Sequence, residues 1–400
     1  MESIHYSTKN TGTSRKGRFL KLQLSRQTLV MKHVFLLLCV VGSLATAHGA
    51  IRRVNNRPGT GALFTDITSA ITAAVAVADT IIVEGSPTAY AGFTLNKQLV
   101  VLGPGYFLTD NDSTQAYTQP ATINSATTLS TAGSTVSGLV FSFSTGGGAT
   151  PMVNITGNNI TFSRNYVYDT WTTASAAAIL VQVNTGVTGV TIAQNFIRCE
   201  QTNAPQGLIF MNGTGNTNLV ITNNIIVAGS ANTTEVTHRN AIWVTNSTNQ
   251  GGILFANNLI LGNVQSYNCT FVNNIWGRGA FINTPVGNVG RNNVLSGTQF
   301  TGQVTFTDPT AVNLNSQAMA GTMFAQTGGN GAIDKFWRLA GGSSALTAGM
   351  NSSEAGPFGG PARYRLSGLP AIPVVWFGSV PTSGNTSSTL SVTFRARTIN

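Results

Sequence analysis

Charge is what this 400-residue chain has least of. Asp, Glu, Lys and Arg make up 8% of it, about a third of the share in an ordinary soluble domain. That shortage argues against helical bundles, which rely on Glu, Lys and Arg for their solvated faces. Cysteine is scarce too: of three residues, only Cys199 and Cys269 follow residue 47, too few for a disulfide-rich scaffold. His238 is the one histidine past residue 48, which excludes a multi-histidine metal site. Neither a nucleophile elbow nor a phosphate loop ending in Gly-Lys-Ser/Thr occurs, and no apolar run approaches the roughly 20 residues of a membrane span. What is present is 42% hydrophobic residues and 44 glycines, with much Thr, Ser and Asn. A polar surface built from neutral hydroxyls and amides favours stacked β architecture.

The formal charge of +10 is concentrated before the mature body. Seven of the 22 basic residues and one of the 12 acids precede "VFLLLCVVGSLATA". That segment reads as a secretory signal, with Lys32 in front, an apolar core Val34 to Val41, and Ala45-Thr46-Ala47 as a cleavage site. Beyond it remain 15 basic and 11 acidic residues, a net of +4, spread along the chain. A nucleic-acid partner is not expected from such a distribution. The chain restarts plausibly at Met31. The expectation is an exported monomer, secreted or at the cell surface, with no membrane span after cleavage.

A short phrase recurs: "ITFSRNYVY", "VTIAQNFIR", "LVITNNIIV", "ILFANNLIL" and "TFVNNIWG". Its asparagines are Asn165, Asn195, Asn224, Asn258, Asn274 and Asn293, spaced 30, 29, 34, 16 and 19 residues apart. Three and five residues before them stand apolar side chains, among them Phe162, Ile192, Ile221, Phe255, Phe271 and Cys269, which share one strand face by the period of two. Two residues after come Val167, Ile197, Ile226, Ile260, Trp276 and Leu295. The unit is a short strand, a tight asparagine turn and a second short strand. Asparagine suits the turn because it tolerates the left-handed region, and asparagines stacked about 4.8 Å apart can bond amide to amide. One such coil cannot bury its apolar face, whereas a stack makes a continuous core.

These phrases, with "TLNKQLVVLGPG" and "VSGLVFSFS", resemble right-handed parallel β-helix proteins of the pectate-lyase-like superfamily, over roughly residues 66 to 294. The expected class is therefore all-β: a right-handed parallel β-helix, or solenoid, with an N-terminal capping helix and a small C-terminal β segment. "DITSAITAAVAVADTIIVEG" supplies the cap, with Ile67, Ala70, Ile71, Ala74 and Val75 at helical spacing and strand Thr80 to Val83 opening the first coil. The organisation read from the chain is an extension and signal over 1–47, the β-helix over 48–307, and a closing coil, Pro/Gly-rich linker and β segment over 308–400. In the last part Leu390, Val392, Phe394 and Ala396 alternate with polar residues as an amphipathic strand.

Cys199 and Cys269 fall three coils apart, on the order of 14 Å along the stack, beyond the reach of a disulfide. Two free thiols are expected, with Cys269 in the core. The resemblance implies polysaccharide chemistry, but the family's aspartate clusters for calcium and its Gly-His-Gly are not found. "TDNDS" places Asp110 and Asp112 at alternate positions yet lacks the further acids of a calcium loop, so a polar surface loop is expected and no cofactor. The best remaining constellation lies just past the asparagine turns: Asp169, Glu200, Glu235, His238 and Arg239 as acid, base and charge groups, with Trp171 and Trp243 to stack on sugar rings. The asparagine-linked sequons are expected from composition. The leading expectation is a non-catalytic protein binding a polysaccharide or cell-surface glycan, or structural at the cell exterior; the rival is a polysaccharide lyase or glycosidase acting through those loops.

Overall fold

The computed structural model describes residues 49–75, 79–143, 150–169, 178–199, 207–229, 240–245, 250–277, 279–282, 287–296, 305–306, 312–313, 323–325, 332–381, 389 and 391–398. Gly49–Asn400 form one compact unit. The extension and the signal segment lie outside the described residues.

The chain is a parallel β-helix. Among the described residues its strands fall into three parallel sheets of eleven, nine and seven strands, and a separate antiparallel pair. From Asn165 to Asn293 the coils pass from the first sheet to the second through an asparagine corner, as in Thr161–Ser163 and Tyr166–Asp169, with the third sheet, as in Ile179–Val183, closing the turn. The inward positions named from the phrase all pack in one core. Phe162, Ile221, Phe255, Phe271, Val167, Ile197, Ile226 and Trp276 have no exposed surface there. Cys199 and Cys269 are buried, not joined in a disulfide, and on different sheets. Burial pushes the Cys269 thiol up to about 12, so it behaves as a small apolar side chain.

The first coil starts earlier than strand Thr80–Val83. Ile51–Val54 pairs with that strand residue for residue, because Arg52 and Ala50 are tied to Asp79. The capping helix, α1 (Ile67–Ala73), sits between these two strands in sequence. Asp66 caps it by accepting from the Ser69 amide at 2.7 Å, and Ile67, Ala70 and Ile71 enter the core. Val75 does not belong to this face; it lies past the helix and is 90% exposed. Lys97 closes the far end by donating to the carbonyls of Thr72 and Ala74, where a cation also suits the helix dipole.

The corner assigns its residues differently from the sequence expectation. The left-handed residue is the one before each ladder asparagine: Arg164, Gln194, Asn223, Asn257, Asn273 and Asn292 have φ of 50 to 57°. The ladder asparagine itself turns inward and is fully buried. Its Oδ1 takes the amide N–H and the Nδ2–H of the asparagine one coil earlier, as Asn224 does from Asn195 at 2.9 and 3.0 Å. Its own Nδ2 donates to the carbonyl of the preceding coil, Asn224 to Ile192 at 2.8 Å, and onward to Asn258 at 3.0 Å. The same pattern runs unbroken from Asn165 to Asn293. It satisfies amides that no strand partner could reach inside the corner.

The C-terminal strand Thr393–Arg397 pairs antiparallel with Val374–Ser379, but it does not bury an apolar face. All five of its residues are exposed, Phe394 at 69%. Val392 is also exposed, and Leu390 lies outside the described residues.

Candidate functional site

The three sheets present three different outer faces. On the second sheet the residue just after each ladder asparagine points outward, and Val140, Tyr166, Phe196, Ile225, Leu259, Ile275 and Val294 align in register along it. That row is covered. Phe324, Trp337, Ala345, Ala348, Ala355 and Tyr364 pack on it as a second apolar core.

The cover is a strap running back along the coils, held by the left-handed corner residues. Asn292 donates to Ala348 O at 3.5 Å, and the Met350 amide donates to Asn273 Oδ1 at 2.8 Å. Asn223 donates to the carbonyls of Pro357 and Gly359, both at 2.9 Å. Gln194 reaches Ala362 O and Arg363 O, and Arg164 reaches Leu369 O at 2.9 Å. At its end Asp334, buried, accepts from the Ser367 amide at 2.7 Å, from Asn111 at 3.1 Å and from Tyr364. Burial raises the Asp334 carboxyl above its usual range despite these donors. The Tyr364 and Tyr106 hydroxyls meet at 2.6 Å, and burial holds both phenols well up. The second sheet therefore offers no open surface along this row.

The third sheet carries a polar outward row, part of it buried. Leu95, Leu129, Ile155, Val183, Met211 and Val244 point into the core. Alternation then sends Thr94, Thr128, Asn154, Gln182, Phe210, Trp243 and Gln265 outward, one per strand in continuous register. At strand spacing the row spans on the order of 29 Å. No residue of it is charged. Asn154 Oδ1 receives Asn184 Nδ2 at 2.7 Å and Gln182 Nε2 at 3.3 Å, and Gln182 also donates to Asn184 at 2.9 Å. Gln265 donates to Val244 O at 3.0 Å. These bonds fix amide side chains on both flanks of the Phe210–Trp243 pair. Gln182, Phe210 and Gln265 are buried, Thr128, Asn154 and Trp243 are half-buried, and Thr94 is exposed.

Of the residues expected at a site, Trp243 lies on this row. Asp169 is not in a loop: it is the last residue of strand Tyr166–Asp169, in register with Cys199, and is 1% exposed. The alternation that puts Val167 in the core turns Asp169 the same way. Glu200, Glu235, His238, Arg239 and Trp171 lie outside the described residues. Asn111 of the "TDNDS" loop is committed to Asp334 and Ser367, while Asp110 and Asp112 are exposed. Among the described residues no three His, Cys, Asp or Glu side chains converge on a metal position, and no helix is long and apolar enough to cross a membrane. Gln182, Phe210 and Gln265 were missed in the sequence. Their signal was a polar or aromatic residue at alternate positions of "ILVQV", "GLIFM" and "NVQ", strands that the asparagine phrase does not mark.

No family model matches the sequence, and no curated protein matches it. Solved structures similar in fold include pectate lyase Pel9A, at 14% identity and a TM-score of 0.45, covering 77% of this chain and 95% of that one. Pectin methylesterase PemA from Erwinia chrysanthemi is similar at 11% identity and a TM-score of 0.36, covering 66% and 94%. A Bacillus subtilis pectate lyase is similar at 9% identity and a TM-score of 0.33, covering 79% and 93%.

Proposed function

We propose that this chain is an exported, non-catalytic β-helix protein that binds a polysaccharide along the outward row of its third sheet. The observation that carries the reading is the uncharged row itself, with Trp243 and Phe210 set between hydrogen-bonded amides. Amide groups offer both donors and acceptors to sugar hydroxyls, and a partly open indole gives a flat apolar wall for a sugar ring. Side chains held by their neighbours lose little freedom when a ligand arrives, which favours binding. Supporting the non-catalytic part, Asp169 is turned into the core rather than toward this face.

The test is a glycan array and titration calorimetry on neutral polysaccharides, with Trp243→Ala and Gln182→Ala beside the parent. Binding that weakens about tenfold in Trp243→Ala, in line with the loss of one stacked ring, supports the reading. Release of reducing ends or unsaturated product, abolished in Glu200→Gln or His238→Ala, would replace it with the lyase or glycosidase alternative. Absence of both binding and turnover would leave a structural role at the cell exterior.

A further inference from the structure

Basic residues that are far apart in sequence meet in one cleft at the end of the strap. A cavity of about 590 Å³ is lined by Lys335, Arg338, Arg365 and Arg397, with Asn111 and Tyr364 among its polar walls. The one acid in its lining is Asp112. Four of the 15 basic residues past the signal segment are thus gathered in one place, in a chain with only 8% charged residues. Six of the 15 lie between Lys335 and Arg397, and folding brings four of these together.

None of the four is in an ion pair among the described residues, whose two salt bridges are Arg52–Asp79 and Arg53–Glu84 at the opposite end of the chain. Their neighbours compensate the charge only in part, Arg338 through the nearby Glu354 and the cleft through Asp112. Lys335 donates to a backbone carbonyl, that of Asp110, and Arg338 lies over the Phe358 ring at 5.6 Å. Arg365 works against the charge of the half-buried Arg164. The base of the cleft is nevertheless built rather than loose. Asn111, Tyr364 and Ser367 are fixed by the buried Asp334, whose neighbour in sequence is Lys335. Like charges held together on a fixed frame cost free energy unless an anion joins them.

We propose that this cleft is a binding site for a compact, multiply charged oxyanion, a phosphate or sulfate group either free or carried on a sugar chain. Guanidinium groups present paired N–H donors that match such oxygens, and the cavity has the size usual for small-ligand sites. This site is separate from the third-sheet row, and it can succeed or fail independently of the proposed function.

Calorimetry of the full-length protein with sodium pyrophosphate, and with dextran sulfate against dextran, tests the proposal. One site per chain is expected, with affinity falling as salt rises and with no binding of dextran at this site. The double variant Arg365→Gln/Arg397→Gln should bind about tenfold or more weakly, from the loss of two charge-assisted contacts. Arg363→Gln, which removes one charge just outside the lining, should bind within about twofold of the parent. Thermal melting of each variant separates lost binding from lost folding. Preference for pyrophosphate would identify a free ligand, and preference for dextran sulfate a group carried on a polymer; either supports the site. Equal weakening by Arg363→Gln, no binding of either probe, or a single-stranded oligonucleotide binding more tightly than both would overturn it.

Discussion

The first and second sheets share every asparagine corner of the ladder, yet one is bare and the other clothed. Outside the first sheet stand Thr80, Val100, Thr135, Thr161, Thr191, Val220, Leu254, Thr270 and Val289, in register and half-exposed. Outside the second stand Tyr166, Phe196, Ile225, Leu259 and Ile275, all under the strap. A sheet solvated on one side reads as alternating, whereas one buried on both sides reads as a continuous apolar run. The contrast shows how a single corner dipeptide serves two purposes. Its left-handed residue reaches out to hold the strap, and its asparagine reaches in to hold the stack.

Breaking the inward half of the corner should cost most. Asn224→Ala removes bonds to Asn195, Ile192 and Asn258 at once and leaves buried amides unsatisfied, for a loss of about 3–5 kcal/mol in urea unfolding. Next comes the clothed face: Phe196→Ala opens a void between sheet and strap and should cost about 3–4 kcal/mol in the same assay. Breaking the outward half is milder. Gln194→Ala loses its two strap bonds and the bond it accepts from Arg164 at a buried corner, and should cost about 1–2 kcal/mol, with faster hydrogen exchange confined to the strap. At the bare face Thr161→Val should shift stability by less than about 0.5 kcal/mol, which sets the floor of the comparison.

Acid and base should act oppositely on the two ends. Hydrogen bonds from Ala50 and then from Val75 and Arg52 hold the Asp79 carboxyl below its ordinary range, against some desolvation. Its folded value being lower than the unfolded one, its stabilisation is present above the unfolded pKa of about 3.9 and is lost as pH falls through the folded value. Asp334 is raised, mainly by burial. Its contribution is therefore complete below the unfolded value and is lost as pH rises through the folded one. Relative to the parent, Asp334→Asn should gain stability as pH rises through that window, whereas Asp79→Asn should lose least at the lowest pH. Unfolding curves from pH 3 to pH 7, chosen to bracket the carboxylate range, check both signs.

Much of the architecture was legible because solenoid coils repeat one local solution. Phe162, Ile192 and Phe271 before the asparagine and Val167, Ile197 and Trp276 after it are core residues as the period of two requires. That no disulfide joins Cys199 to Cys269 followed from the same register. The strap was not legible as a partner, although its hooks were visible: Arg, Gln or Asn stands before every ladder asparagine, and each carries side-chain N–H groups. A single phrase does not show that these donors face outward, because that depends on a left-handed φ. The outward Tyr166, Phe196 and Ile225 were equally visible, but their burial depends on residues about 150 positions later. The basic cleft joins positions 111, 335, 365 and 397, separations at which local pattern carries no information. Trp243 was expected beside the loop charges that follow the asparagine turns; the structure places it on the third sheet's outward row.

A stack of coils is close to one-dimensional, with each turn secured only to its neighbours, so it can come apart from an end one turn at a time. A cord laced lengthwise changes that. Through Asn292, Asn273, Asn223, Gln194 and Arg164 the strap is tied to turns far apart along the axis. Freeing a middle turn then means undoing a knot that also secures its distant fellows. The smallest piece that can let go becomes several coils long, and loosening at one end is felt at the other.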